Sequence, residues 1–444
     1  MKKLIALIAV LSYVPFAHAA EGDWTHSGEF RLQYFNNQAQ GFNKDAVDAN
    51  DQFIMQRTKL NTTVRAGEKM TFNLGLVHNA DWGSNADQFP DDINDRGGGT
   101  AAGTDGRANA TNNVLTVNEA FMNWQVSDEA TVKAGRITQT LGDGSVVSSN
   151  DWEPVAKAFD GAGLIYDLEQ VRVGAFGVTG GRGYNADEDF ANKIGAFYGL
   201  VLDWKTLPSF LKMAHLHYIM VKRDEAQYDT TTAGILTLPK EDAQRIGLTV
   251  AGDTAGVDYK FTYAMYTGEN STGGTKTDID ADMMDLEVGY SMPAVMNLRV
   301  HGGYHTDSGK KSTDTDDKQY NGFHYETYKN AGLMDVVGWG NLTYMRAGVT
   351  LSPMEDVTVG LEYLMFEKTE KSGAVNGVGG PLAGAVIASG GTDDEIGNEW
   401  DLVVTKKYTN NFAIQARYGM FEPGDAFATD DTFSQWYLES KLTF

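Results

Sequence analysis

Cysteine is absent from all 444 residues, which excludes disulfides, thiolate metal sites and a cysteine nucleophile. Proline is scarce, at 9 residues, and after position 20 no stretch approaches the roughly 20 consecutive apolar residues of a membrane-crossing helix. Cations are in deficit: 36 Lys and Arg stand against 60 Asp and Glu, a formal net charge of -24. With no basic patch and no phosphate-cradling glycine loop, nucleic acid is not expected as a partner. The spaced histidine pairs His215/His217 and His301/His305 come without a nucleophile, so no catalytic residue and no enzyme is expected. Asp278, Asp280 and Asp282 have the opening spacing of a calcium loop. Met283 stands where that loop requires Gly and Gly289 where it requires a bidentate Glu, so neither metal nor cofactor is expected.

What the chain does contain is alternation. Trp436, Leu438, Leu442 and Phe444 fall on one side of an extended strand, and Tyr437, Glu439, Lys441 and Thr443 on the other, because side chains alternate at period two. The same pattern sets Phe30, Leu32 and Tyr34 against Glu29, Arg31 and Gln33, and Met284, Leu286, Val288 and Tyr290 against Asp285 and Glu287. A soluble sandwich would bury the apolar faces against a second sheet; a transmembrane β-barrel would turn them to lipid. Mean hydropathy of -0.34 does not separate the two, since a barrel hides its apolar surface in every second residue.

Lys2 and Lys3, the apolar run Leu4 to Phe16 and Ala17-His18-Ala19 have the three-part form of a secretory signal, so residues 1–19 are expected to be removed and 20–444 to form a single barrel. Connections then alternate in length. Short turns are expected near 66–69, 127–130, 167–170, 205–210, 253–256, 291–296, 352–356 and 407–411. Long loops are expected near 36–51, 82–113, 140–157, 180–193, 223–242, 267–281, 306–341, 368–395 and 422–433. Nine loops and eight turns imply about 18 strands, with short periplasmic turns and long extracellular loops in a Gram-negative outer membrane. Tyr34, Trp124, Trp204, Tyr290 and Trp436 sit near strand ends, where interfacial girdles form. The acid lies mostly in the loops; on the polar strand faces basic residues slightly outnumber acidic ones.

Residues 133–166 carry Gly135-Arg136 at a strand end, Gly142-Asp143-Gly144 and Trp152 in the following loop, and Phe159-Asp160-Gly161 opening the next strand. This segment resembles the central signature of the alginate-export outer-membrane porin family. Gly28-Glu-Phe-Arg31, the Arg57 strand, Glu399-Trp-Asp-Leu402 and Gly419-Met-Phe-Glu-Pro-Gly424 are also similar to it. The resemblance implies a monomeric eighteen-stranded barrel with an arginine-lined channel for an anionic polysaccharide.

The side chains expected to line the pore are Arg31, Arg57, Lys59, Arg65, Glu119, Arg136, Asp160, Arg299, Arg346 and Arg417. Arg136 and Asp160 flank the third loop and either face the lumen or pair with each other. The expected function is passive passage of small hydrophilic or anionic solutes through a charged lumen, with outer-membrane lipid and lipopolysaccharide as surroundings. The alternative is a surface-structural or adhesive barrel that binds a partner through its long acidic loops.

Overall fold

Alternation becomes structure because a closed sheet lets every backbone group pair with a neighbouring strand while each side chain goes wholly outward or inward. The computed structural model describes residues 24–444 apart from 40–41, 43, 46–49, 83–113, 183–195, 225, 231–233, 239, 324–325, 327–330, 376–392 and 429. The expected signal segment lies outside the described residues.

The strands are β1 (Trp24–Gln38), β2 (Asp51–Arg65), β3 (Met70–Trp82), β4 (Val114–Gln125), β5 (Ala130–Ile137), β6 (Ala158–Asp167), β7 (Val171–Arg182), β8 (Ala196–Trp204) and β9 (Leu211–Arg223). A separate hairpin, β10 (Ala226–Thr230) with β11 (Gly234–Leu238), occupies the next connection. After it come β12 (Lys240–Thr254), β13 (Val257–Thr272), β14 (Thr275–Met292), β15 (Leu298–Asp307) and β16 (Leu342–Met354). The last four are β17 (Val357–Lys368), β18 (Glu395–Lys407), β19 (Phe412–Pro423) and β20 (Phe433–Thr443). Eighteen of these form one antiparallel sheet, and β20 returns to pair with β1 from Glu29↔Thr443 to Gln38↔Ser434. Closure leaves the sheet no edge.

One expected loop is corrected. Residues 267–281 are not a loop: β13 and β14 pair up to Thr272↔Thr275 around Gly273 and Gly274, whose φ values of 57° and 82° suit a two-residue hairpin turn. The polar composition of this ribbon hides its strand character. Its far end is held by the loop after β15, where the Asp317 amide donates to the Asp278 carbonyl at 2.7 Å. Asp278, Asp280 and Asp282 therefore lie on a strand.

The outward faces carry the apolar set, with Phe72, Trp124, Leu164, Leu200, Leu286, Tyr290, Trp436 and Leu438 among the exposed large side chains. Inside, the barrel has two zones. Toward the short-turn end the wall is polar. Toward the long-loop end it carries an apolar cluster: Phe159, Phe197, Ile219, Met283, Phe366 and Phe421 pack against Phe42, Leu141, Val146, Met334, Val336 and Trp339 from infolded loops. That packing fixes loops that would otherwise pay about 1–2 kcal/mol per residue in lost conformational entropy.

Candidate functional site

Two loops cross the lumen. The third, L3 (138–157), leaves β5 and turns inward, with Leu141, Val146 and Val147 seating it in the apolar zone. Its tip reaches the β1–β2 wall. Arg57, about 2% exposed, donates to Glu29 Oε1 at 2.6 and 2.9 Å, to the Asp151 carbonyl at 2.6 Å and to the Glu153 carbonyl at 2.9 Å. Arg31 donates to the Trp152 carbonyl at 2.8 Å, and Lys59 pairs with Asp151 at 2.8 Å. Arg417 lies over the rings of Trp152 and Tyr437, at 4.7 and 4.3 Å from their centroids. A planar guanidinium suits both the forked bonds and the stacking, which a lysine does not.

The other end of L3 touches the opposite wall. Asp143 accepts from Thr262 at 2.9 Å and pairs with Lys260 at 3.2 Å, while Gly142, at φ 57°, sits against the His215 ring. Burial pushes the Asp143 carboxyl up, but Lys260 and the hydrogen bonds from Ser145 and Thr262 outweigh it and hold it below its ordinary range. Asp151 is likewise held low, its burial overcome by Arg57 and Lys59.

L7 (308–341) enters from β15. Its Leu333 and Met334 amides donate to Asp401 at 3.1 Å and Glu399 at 3.0 Å on β18, and Gly332 passes so close that a Cβ there would lie 2.2 Å from Glu399. The two loops meet where Ser148 donates to Glu326 at 2.7 Å and the Glu326 amide donates to the Gly144 carbonyl at 2.9 Å. Near this junction burial and the neighbouring Glu153 push the Asp335 carboxyl up to about 7, and Lys157 opposes the shift. Burial also raises Glu153, with Glu326 adding to the effect.

Below the loops the lumen is electrically two-sided. On β19, β20, β1 and β2 the inward residues include Arg417, Lys441, Arg31, Arg57, Lys59 and Arg65, against Glu439 and Glu29. On β13 to β18 the acids dominate. Arg299 bridges Asp258 at 2.5 Å and Glu287 at 2.7 Å, Arg346 contacts Asp285 at 3.2 Å and Glu287 at 3.1 Å, and His301 meets Glu362 at 3.0 Å. Among the described residues no cluster of three or more His, Asp or Glu could hold a metal ion.

Eight of the ten side chains expected to line the pore thus face the interior, Arg65 near the short-turn mouth and Glu119 accepting from Thr138. Arg136 and Asp160 do not. Arg136 is in register with Ala120, which shares the outer face with Met122 and Trp124, and Asp160 shares it with Ala162 and Leu164. They pair with each other on the outer surface at 2.7 and 3.0 Å. Glu399 and Asp401, which position L7, were missing from the expected set; their sequence signal is two acids at period two on one strand face. The infolding of L7 also had a signal, in the apolar run Met334, Val336, Val337 and Trp339 inside a polar loop.

An edgeless barrel with an apolar belt, a charged lumen and infolded loops on one side has the architecture of an outer-membrane channel. The chain belongs to the alginate export family, whose model matches residues 26–438. Solved structures agree in fold. Acinetobacter baumannii OccAB1 is 12% identical with a TM-score of 0.62, covering 95% of this chain and 97% of that one. Pseudomonas aeruginosa opdK is 10% identical with a TM-score of 0.60, over 95% and 98% of the two chains. Pseudomonas aeruginosa OccK8 (OprE) is 14% identical with a TM-score of 0.58, also over 95% and 98%. No curated protein matches the sequence. The long loops are accordingly extracellular and the short turns periplasmic, in the outer membrane of a Gram-negative bacterium; the adhesive reading is not favoured.

Proposed function

We propose that this channel passes small hydrophilic solutes carrying carboxylates by passive diffusion, and that it works as a monomer in contact with outer-membrane lipid and lipopolysaccharide after loss of a signal segment at 1–19. The observation that carries the reading is the inward row Arg417, Lys441 and Arg65 on one wall of a lumen that L3 and L7 enter from the loop end and narrow where they join through Ser148 and Glu326. Opposed basic and acidic walls orient a dipolar solute as it passes, and the basic side offers carboxylates charge-assisted hydrogen bonds. In this reading Arg31, Arg57 and Lys59 act chiefly by holding L3, and the solute meets Arg65, Lys441, Arg299 and Arg417. The family's description, alginate export, makes uronates the natural carboxylates to test, and the narrowed lumen favours short ones.

Liposome swelling with a graded series of uronate oligomers tests this. Permeation that falls steeply with each added sugar, and exceeds that of neutral sugars of equal size, supports the proposal. Equal permeation of neutral and anionic sugars removes the carboxylate preference, and rapid passage of long polymers removes the narrowing by L3 and L7.

A further inference from the structure

The outward Arg136–Asp160 pair belongs to a larger row. In register across six neighbouring strands, all on the lipid-facing side and all at the extracellular end, stand Arg136, Asp160, Thr179, Ala196, Lys222 and Asp242. Immediately toward the membrane centre the wall changes character. Ala175 and Gly177 form the floor of an apolar depression of about 540 Å³, and Leu164, Tyr198, Leu200 and Tyr218 stand around it. Tyr198 and Leu200 are 47% and 53% exposed, so their side chains project as walls, while the small residues let a ligand approach the backbone.

Polar above and apolar below is the order of groups in a membrane amphiphile. The row's charges sit where a charged side chain costs little, since the penalty on a barrel's lipid face falls to about 0–1 kcal/mol near the interface. The Lys222 side chain is 54% exposed and only 3.4 Å from Asp242, a loose partner that an anion can displace. Four strand spacings of about 4.8 Å separate it from Arg136, roughly 19 Å, a span that a disaccharide phosphorylated at both ends bridges as the side chains lean inward.

We propose that this surface binds a phosphorylated glycolipid of the outer leaflet, one acyl chain lying over Ala175 and Gly177 and a phosphate on Lys222, with Arg136 flanking the headgroup. A second copy of the chain is the weaker occupant, because it would have to bury the charged row together with the groove. The inference rests on the outer-membrane placement and not on conduction.

The test is native mass spectrometry of the folded chain in non-ionic detergent, titrated with bis-phosphorylated lipid A, its dephosphorylated form and phosphatidylglycerol. Expected is a one-to-one complex with the bis-phosphorylated lipid, about tenfold tighter than with either of the others. Lys222→Gln and Ala175→Leu, which removes a charge and fills the groove respectively, each weaken it about tenfold without altering channel current. Equal binding of the dephosphorylated lipid, or unchanged binding in both variants, overturns the proposal. So do dimers that Ala175→Leu dissociates. Normal current without lipid selectivity defeats this inference alone, and selective binding without current defeats only the channel reading.

Discussion

Replacing Arg57 with alanine removes the main tie between L3 and the wall. The guanidinium is buried, and its bonds to the Asp151 carbonyl (2.6 Å), Asp151 Oδ1 (3.2 Å) and the Glu153 carbonyl (2.9 Å) all end on the loop tip. Hydrogen bonds to a charged group contribute about 1.5–3 kcal/mol each. Arg31 and Lys59 still hold Trp152 and Asp151, so the net loss of loop seating is on the order of 4 kcal/mol, about a thousandfold in the seated-to-released ratio. Glu29 keeps Lys441 at 2.9 Å, which limits the cost of leaving its carboxylate buried. Single-channel recording in planar bilayers reads the result: a seated loop gives quiet open levels, and Arg57→Ala gives frequent transitions to larger conductance as L3 leaves the lumen. Arg57→Lys is intermediate, since a point charge cannot serve Glu29 and two carbonyls together. If folded Arg57→Ala shows the same conductance and the same noise as the parent, L3 is not the element that narrows the lumen.

Other expectations follow from the same geometry. Asp335 is raised to about 7 when L7 is docked and returns to its ordinary range when released, so the docked loop binds the proton more tightly. Docking is then fully supported below about pH 4 and weakens by up to tenfold per pH unit until about pH 7; recordings should be quieter at pH 5 than at 7.5, and Asp335→Asn should flatten that difference. Lys441→Glu, on the basic wall, should move the reversal potential under a salt gradient toward cation preference. Arg136→Gln, outside the lumen, should leave it unchanged, and the loss of a part-exposed surface pair should cost only about 0–1 kcal/mol in denaturant melts.

The barrel was legible because its information is local. Period-two faces such as Leu286 and Val288 against Asp285 and Glu287, and the alternation of turn and loop lengths, follow from the chain's own neighbours. The ribbon at 267–281 was not, since its Asp, Thr and Gly residues read as loop while its pairing is settled by a glycine turn and by Asp317 far along the chain. Arg136 shows a different limit. It is polar and lies next to the third loop, which suggests the lumen. Its face is decided by register with Ala120, and a one-residue difference in register turns every side chain over. The apolar packing in the outer part of the barrel was hidden for a third reason: Phe197, Ile219 and Phe421 face inward because loops cover them, a tertiary fact.

The absence of cysteine makes one measurement especially direct. Single cysteines at Leu286 and Glu287, adjacent on β14, are treated during bilayer recording with a water-soluble cationic thiol reagent. If alternate residues of this wall face lipid and a conducting lumen, the Glu287→Cys channel changes current in discrete steps on modification and the Leu286→Cys channel does not. Equal response at both positions, or no current at all from correctly folded protein, contradicts the account.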